Sequence, residues 1–167
     1  MYYADASRVC LEPCVPYGWQ FPDEDVFMPS AKGKGLNCFG LLTRTNKLMF
    51  STTTQNINST FVFEYLDRLS FMLEKPTVIV LDNASVHTAK IIQQQRNVWE
   101  TRGLTLFYLP PHSPQLNLIE ILWRMLKYYW LKPEDYVEEQ LLFYKITLAL
   151  AAVGSSLNIN FSDLALV

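Results

Sequence analysis

The pattern of apolar and polar positions along the chain predicts strands and helices in a defined order. Alternating or continuously apolar stretches of strand length predict five strands, at 1–9, 36–43, 48–54, 77–81 and 104–109. Apolar positions at helical spacing predict four helices, at 60–74, 88–101, 114–131 and 135–152. Residues 10–34 are rich in proline and glycine, which predicts a loop. The order is typical of an α/β domain in which helices pack on a mixed sheet.

Short polar residues and a proline mark the starts of two predicted helices. Either Asn58 or Ser59 can cap the helix at 60–74, because such side chains accept a hydrogen bond from a free backbone N–H. Ser113 is predicted to cap the helix after the double-proline loop. Pro114 then takes the first helical position, where its missing N–H costs nothing.

The helix at 114–131 carries an apolar seam with a polar stripe beside it. The seam steps by three and four residues and contains Leu116, Ile119, Trp123, Leu126 and Trp130. The polar stripe has the same spacing and contains Asn117, Glu120, Arg124 and Lys127. Glu120 is therefore predicted at the edge of the buried face, where its carboxylate can point toward the sheet. Trp123 is predicted to pack in the core.

An acidic residue follows the most apolar strand, TVIVL at 77–81. This strand is apolar on both faces, which predicts a central position, and ligands of open α/β sheets collect at the ends of such strands. Asp82 lies at that end, Asp5 lies in a strand that could neighbour it, and Glu120 lies on the later helix. Converging carboxylates repel one another unless they share a proton or a cation, and hard divalent ions prefer carboxylate oxygens. The 16 acidic residues allow many such triples, so spacing alone leaves this triad open.

Composition bounds the class of protein. The 167 residues are enough for one domain, and 50% of them are hydrophobic, which is typical of a globular chain. The net charge of −2 argues against a domain that coats nucleic acid, but not against an enzyme that contacts DNA locally. No apolar run approaches the roughly 18 residues that span a bilayer, and the N-terminus does not resemble a signal peptide. We therefore expect a cytoplasmic protein without a membrane partner.

The three cysteines are interpreted as reduced thiols. Cys10 and Cys14 have a C-x3-C spacing, which invites a zinc site, but Cys38 forms no second pair with another cysteine. The only histidines, His87 and His112, lie far downstream, so buried or semi-exposed thiols are favoured over zinc ligands.

Three stretches of sequence together resemble the catalytic core of DDE-type transposases. They are YADAS around Asp5, VLDNASVH around Asp82 and LPPHSPQLNLIEILWRMLK around Glu120. The stretch KGKGLNCFGLL at 32–42 is similar to that family's second strand. The last two acids are separated by 37 residues, 83–119, a spacing within the range of the mariner superfamily of bacterial insertion sequences.

This resemblance implies a ribonuclease H-like, retroviral integrase-like fold with a mixed five-stranded sheet flanked by helices. It implies a transposase core that cleaves DNA and transfers strands at transposon ends. Asp5, Asp82 and Glu120 would be both the catalytic residues and the ligands of two Mg²⁺ ions, with Mn²⁺ as a substitute. The implied partners are double-stranded DNA, as terminal inverted repeats and target DNA, and a second copy of the chain in a homodimer. A bacterial protein associated with the nucleoid when it acts is expected.

The chain departs from the family pattern at three positions. Ala6 stands where the family often has a second acid, His112 replaces a usual tyrosine and Leu118 replaces a usual proline. Residues 1–167 are predicted to form one DDE catalytic domain, without the N-terminal helix-turn-helix domains that bind transposon ends. We expect weak DNA binding by such a core alone.

Other residues near the three motifs have both a functional and a structural interpretation. Asn83 could orient a metal-bound water or a phosphate, or it could form a turn. His87 could contact the scissile phosphate or assist proton transfer, or it could bond locally at a helix start. Asn117 could hold the carboxylate of Glu120 or satisfy the proline loop. The candidate DNA contacts are Lys32, Lys34, His112, Arg124 and Lys127.

Two alternatives to a transposase core remain open at this point. One is a non-catalytic module, a decayed or domesticated core that serves for dimerisation or as a DNA scaffold. The other is a different ribonuclease H-like nuclease, such as a repair or RNA-degrading enzyme. An intact acidic triad argues against decay.

Overall fold

Five strands and four α-helices form the part of the chain that the computed structural model describes, residues 1–12, 31–111 and 113–161. The strands are β1 (Tyr2–Leu11), β2 (Ala31–Leu42), β3 (Leu48–Thr53), β4 (Thr77–Leu81) and β5 (Leu104–Tyr108). The helices are α1 (Ser59–Phe71), α2 (Lys90–Thr101), α3 (Ile119–Met125) and α4 (Glu139–Ala152). Shorter helical turns are Pro114–Leu116, Leu126–Trp130 and Pro133–Tyr136. No helix among these residues has the length and apolar character that crossing a membrane requires.

The strands form one mixed sheet in the order β3-β2-β1-β4-β5. Strand β1 pairs antiparallel with β2, and β2 pairs antiparallel with β3. The pairs β1–β4 and β4–β5 are parallel, with helices in the connections. The predicted mixed five-stranded sheet is therefore confirmed.

Each face of the sheet is covered by its own hydrophobic core. Leu66 of α1 and Trp99 of α2 pack on one face together with Ile79 of β4. On the opposite face, Val80 of β4 belongs to the core that holds residues of α3 and α4. Adjacent residues of β4 thus enter two different cores, which confirms its predicted central position. Each such buried aliphatic side chain contributes roughly 1.5–3 kcal/mol.

Strand β2 begins earlier than its apolar pattern predicts, in agreement with the resemblance of residues 32–42 to the family's second strand. Residues 31–34, predicted as loop from their composition, lie in this strand, and β1 continues beyond residue 9 to Leu11. The reason is pairing, because Gly35 lies opposite Cys10 and the ladder of backbone hydrogen bonds outweighs the low strand propensity of glycine and lysine. The rest of the predicted loop, with Cys14, lies outside the described residues. Cys10 and Cys38 are free thiols.

The predicted helix at 114–131 is wrong as a single helix. It consists of a 3₁₀ turn, α3 and a π-helical turn, and it is interrupted at Asn117, whose buried side chain bonds the backbone of β1. The predicted capping by Ser113 is also not observed among the described residues: no backbone N–H donates to its hydroxyl, which itself donates to the carbonyl oxygen of Pro111 (3.3 Å). Leu116, predicted in the buried seam, is 49% exposed, whereas Ile119, Trp123 and Leu126 are buried.

The other helices shift at their ends. Helix α1 ends at Phe71 rather than 74, and Asn58 caps it by accepting a hydrogen bond from the Phe61 N–H (2.9 Å). Helix α2 begins at Lys90 rather than 88. Helix α4 begins at Glu139 rather than 135, because Pro133 starts a separate 3₁₀ turn before it.

Candidate functional site

Strand pairing brings two of the three predicted acids side by side. In the parallel pair β1–β4, Tyr3 lies opposite Val80. Asp5 and Asp82 each lie two residues further along their chains, Asp5 within β1 and Asp82 immediately after β4. Glu120 lies in the first turn of α3, which packs on this face of the sheet.

The three carboxyl groups are close enough that Asp82 raises the pKa of both Asp5 and Glu120. The pKa of Asp5 is raised to about 7, first by burial and then by the charge of Glu120, with a smaller contribution from Asp82. Partial burial and the charge of Asp82 raise the pKa of Glu120, whose carboxylate is in hydrogen-bonding reach of the Asp5 side chain. The structure thus gathers Asp5, Asp82 and Glu120 into one electrostatic cluster.

Asp82 has its own hydrogen-bond donors. The ring nitrogen Nδ1 of His87 lies 2.6 Å from Asp82 Oδ1, and the backbone N–H of Ala84 donates to the same oxygen (3.0 Å). The bond to His87 is the largest cause that lowers the pKa of Asp82, and burial opposes it. A carboxylate only accepts hydrogen bonds, so Nδ1 of His87 carries the proton.

His87 is buried behind Asp82 instead of lining the open site. Its side chain is 1% exposed, and its backbone carbonyl accepts a hydrogen bond from the Tyr108 hydroxyl (2.8 Å). The ring nitrogen Nε2 is buried and has no hydrogen-bond partner among the described residues. Of the two interpretations of His87, a contact with the scissile phosphate or a local hydrogen bond, the structure shows the local hydrogen bond. This bond goes to Asp82 and orients its carboxylate.

The two candidate asparagines bond the backbone near the site. The Asn83 side chain donates to the Leu109 carbonyl oxygen (2.5 Å) and so ties the end of β4 to the end of β5. The Asn117 side chain donates to the Ala4 carbonyl oxygen (3.1 Å), directly beside Asp5. The Asn117 side chain thus braces β1 against the start of α3, while its backbone carbonyl accepts from the N–H of Glu120 (3.0 Å).

Trp123 is a site residue that the sequence pattern identified only as core. The residue is buried, as predicted, with 3% of its surface exposed. Its indole N–H donates a hydrogen bond to Asp5 Oδ2 (3.1 Å). Gly40 lies opposite Asp5 on β2, and a Cβ atom there would come within 3.1 Å of the indole and of Ile119. Two signals could have indicated this contact: a buried indole N–H needs an acceptor, and a glycine inside a strand marks a close approach.

The candidate DNA contacts divide into three groups. Lys34 forms a salt bridge with Glu139 of α4 (2.8 Å), so part of its charge is already neutralised. Arg124 and Lys127 form no salt bridge within the described residues, and Lys127 lowers the pKa of Glu120 from nearby. They line a groove of about 320 Å³ whose lining residues are Ser7, Glu120, Trp123, Arg124, Lys127 and Tyr128. The Lys32 side chain and His112 lie outside the described part of the chain.

A comparison with protein-family models identifies the family of this chain. The model of the DDE superfamily endonucleases matches residues 1–141. The chain belongs to the DDE superfamily endonuclease family. A search of curated proteins found no match. Membership confirms the family predicted from the three sequence stretches and places the chain in the nuclease and transposase class of proteins.

Solved structures similar to this DDE family member share its fold. The Mos1 transposase paired-end complex with the left transposon end is 14% identical with a TM-score of 0.59, and the match covers 90% of this chain and 52% of that chain. The Mos1 mariner paired-end complex with Mn is 14% identical (TM-score 0.57, 93% and 52% covered). The catalytic core domain of BIV integrase is 19% identical (TM-score 0.51, 75% and 79% covered). These likenesses confirm the ribonuclease H-like fold, and the chain spans about half the length of the Mos1 chains.

The acidic cluster of this DDE core is not a closed metal cage. Among residues 1–12, 31–111 and 113–161, no three His, Cys, Asp or Glu side chains form a group that could hold a metal ion by themselves. Mg²⁺ usually takes one or two carboxylates and completes its shell with waters and substrate phosphates. The carboxyl groups of Asp5, Asp82 and Glu120, of which Glu120 lines an open groove, therefore fit such an ion chemically.

Proposed function

We propose that this chain is the catalytic core of a transposase, which cleaves DNA strands at transposon ends and transfers them to target DNA. One observation carries the proposal: in a DDE-family sheet, Asp5 of β1 and Asp82 directly after β4 lie side by side, and Glu120 lies in the first turn of α3, which packs on β1. Among the described residues, no lysine or arginine forms a salt bridge with these three carboxyl groups, and such a cluster favours a cationic ligand. The Mos1 complexes with a transposon end and with Mn support the same chemistry by analogy.

In this proposal Asp5, Asp82 and Glu120 hold two Mg²⁺ ions, for which Mn²⁺ can substitute. When bound, the ions activate the attacking oxygen and stabilise the departing oxygen of a phosphodiester. The protein prepares the ligands beforehand. His87 keeps Asp82 ionised and fixes its orientation, and the indole of Trp123 fixes one oxygen of Asp5.

The proposed partners are double-stranded DNA, as terminal inverted repeats and target, and a second copy of the chain. With a net charge of −2, the chain must attract phosphates locally instead of over its whole surface. Arg124 and Lys127 are the two described cations that line the groove next to Glu120. We expect weak binding that falls steeply with salt concentration.

The proposal is tested by nicking of supercoiled plasmid DNA in Mg²⁺, in Mn²⁺ and in EDTA. Asp82→Asn and Glu120→Gln should each lower the metal-dependent rate about a thousandfold or more, because a metal ion supplies several kcal/mol of transition-state stabilisation. Glu100→Gln is the matched control, since this acid is exposed on α2. The control should nick DNA at the wild-type rate. Nicking retained by Asp82→Asn would remove Asp82 from the mechanism.

Two measurements separate this proposal from the other classes of protein. Calorimetric titration with Mn²⁺ distinguishes an enzyme from a scaffold, because a scaffold need not bind the ion. Comparison of duplex DNA with an RNA–DNA hybrid distinguishes a transposase core from an RNA-degrading nuclease. A wild-type chain that binds no Mn²⁺ and nicks no DNA would contradict the proposed function.

A further inference from the structure

A π-helical turn follows α3 and forms one wall of the groove beside Glu120. The turn spans Leu126–Trp130, and wide turns of this kind occur frequently at functional sites. It carries two neighbouring exposed tyrosines, Tyr128 (44% exposed) and Tyr129 (68% exposed). Tyr128 lines the groove, whereas Tyr129 is not among its lining residues. The turn thus directs one of two similar aromatic rings into the groove.

The groove combines two kinds of contact that suit a nucleotide. Arg124 and Lys127 provide positive charge without a salt-bridge partner among the described residues. Tyr128 provides an exposed aromatic ring, and Ser7 of β1 adds a hydroxyl-bearing side chain to the lining. Phosphates suit the two cations, and the flat face of a base suits the tyrosine ring.

The form of the DNA follows from the need for an accessible base face. In a duplex the bases are stacked on one another, so a protein ring can stack only on a base that is unpaired. The groove volume of about 320 Å³ lies near the lower end of the range for small-ligand sites, about 300–1,000 Å³, which favours one nucleotide over a duplex segment.

We propose that this groove binds the unpaired end of a DNA strand, with its base stacked on Tyr128 and its phosphates on Arg124 and Lys127. The inference rests on the proposed function, since the bound strand would be the one cut beside Glu120. It adds a preference for DNA with unpaired ends over blunt duplex.

The test is binding of the full chain to two labelled duplexes, one blunt and one with a short single-stranded overhang, followed by fluorescence anisotropy in EDTA at low salt. Tyr128→Ala should weaken binding of the overhang duplex about tenfold, the loss expected for one stacked base, and change blunt binding less than about twofold. Tyr129→Ala is the matched control and should leave both affinities unchanged. Tyr128→Trp should retain the preference for the overhang.

A fluorescent adenine analogue in the overhang provides a second readout. Its emission should be quenched by the wild-type chain and by Tyr128→Trp, but not by Tyr128→Ala, because quenching reports stacking. Arg124→Gln with Lys127→Gln should weaken binding of both duplexes and lower the salt dependence by about two ions. Equal losses from Tyr128→Ala and Tyr129→Ala, or equal losses on both duplexes, would overturn the proposal.

The outcome is independent of cleavage, because binding is measured without divalent metal. Tyr128-dependent overhang binding by a chain that never nicks DNA would support the groove and contradict the proposed enzyme. The opposite result is also possible: nicking that depends on Asp82, together with a Tyr128→Ala variant that binds DNA like the wild type. That result would support the proposed enzyme and contradict the proposed role of the groove. Circular dichroism of the variants shows whether each one is folded.

Discussion

Asp5 on β1 and Asp82 directly after the parallel strand β4 lie side by side, yet their surroundings favour opposite charge states. Around Asp5, burial and the charge of Glu120 raise the pKa to about 7. Around Asp82, the bond from His87 and the backbone N–H of Ala84 lower the pKa, although burial opposes them. The difference arises mainly from burial, which is deeper at Asp5 and acts there together with the charge of Glu120. At Asp82 the hydrogen bond from His87 is the largest cause and outweighs a weaker effect of burial.

This contrast indicates how the two halves of the site would respond to a cation. The half formed by β1 and α3 carries Asp5, which holds a proton through much of the neutral range when no metal is bound. The half that follows β4 carries Asp82, which is ionised in advance. We therefore expect that binding of a divalent ion displaces a proton from Asp5, whereas Asp82 is already ionised and loses none.

The largest expected effect is on the pH dependence of stability when Asp5 is replaced by asparagine. The ordinary pKa of an aspartate, 3.8, applies to Asp5 in the unfolded chain, and its pKa in the folded chain is about 7. Folding therefore favours the protonated form of Asp5. The associated stability is fully present below pH 3.8 and is lost as pH rises through 7, by about 4 kcal/mol at most. Asp5→Asn should remove this loss, as measured by urea unfolding in EDTA at pH 5 and pH 8.

Asp82→Asn provides the control with the opposite sign. Because the folded-state pKa of Asp82 is lowered, its contribution is present above the ordinary pKa of 3.8 and is lost as pH falls through the folded value. Removal of Asp82 should therefore destabilise the chain at neutral pH and matter less in acid. If the free energy of unfolding of the wild type and of Asp5→Asn changed with pH in the same way, the pKa of Asp5 would not be raised in the folded chain.

The next effect concerns the close approach of α3 to the sheet at Gly40. In Gly40→Ala, the new Cβ would lie 3.1 Å from both Trp123 Cη2 and Ile119 Cδ1. Overpacking of this kind costs about 1–3 kcal/mol, which a urea unfolding curve would detect. Adding Ile119→Val removes one of the two clashes and should recover part of the loss. A Gly40→Ala chain as stable as the wild type would mean that α3 shifts freely.

A smaller effect is expected from His87→Phe in the other half of the site, because phenylalanine keeps a buried ring but has no N–H to donate. His87 donates from Nδ1 to Asp82, and a bond to a charged group contributes about 1.5 kcal/mol or slightly more. The loss should appear at neutral pH and diminish in acid, where Asp82 becomes protonated. NMR titration should show the pKa of Asp82 moving up toward its ordinary value. An unchanged Asp82 titration would assign the lowered pKa to the backbone N–H of Ala84 alone.

The fold was largely predictable because its signals are local. The continuous apolar run at 77–81 predicted a central strand ending at Asp82, and β4 is that strand. The hydrophobic pattern did not predict the start of β2, because residues 31–35 are held in the sheet by pairing with β1 instead of by their own propensity. The resemblance of residues 32–42 to the family's second strand did indicate it. The break at Asn117 had the same kind of cause, a contact with Ala4 that lies 113 residues away.

The candidate site was predictable as a set of acids but not as an environment. Helical periodicity placed Trp123 in the core, yet periodicity gives only the face of a helix and not the atom that a side chain meets. The indole of Trp123 on α3 reaches Asp5 on β1 only because Gly40 on a third element, β2, leaves room for the ring. Likewise, the spacing of Asp82 and His87 is local, but the burial of His87 depends on residues such as Phe39 of β2, which lies beside its ring.

The smallest expected effect tests the hydrogen bond between Trp123 and Asp5. Trp123→Phe keeps an aromatic ring beside Gly40 but removes the N–H that lies 3.1 Å from Asp5 Oδ2. At pH 6 Asp5 is mostly protonated, so the lost bond is one to a neutral group and should cost about 1 kcal/mol. Above pH 7 Asp5 is ionised and the cost should rise, since bonds to charged groups are stronger. Urea unfolding of Trp123→Phe at pH 6 and pH 8 measures this difference, with Asp5→Asn/Trp123→Phe as the control in which the pH dependence should vanish. A cost that is the same at both pH values would mean that the indole packs beside Asp5 without orienting it, and the β1 half of the site would then lack a counterpart to His87.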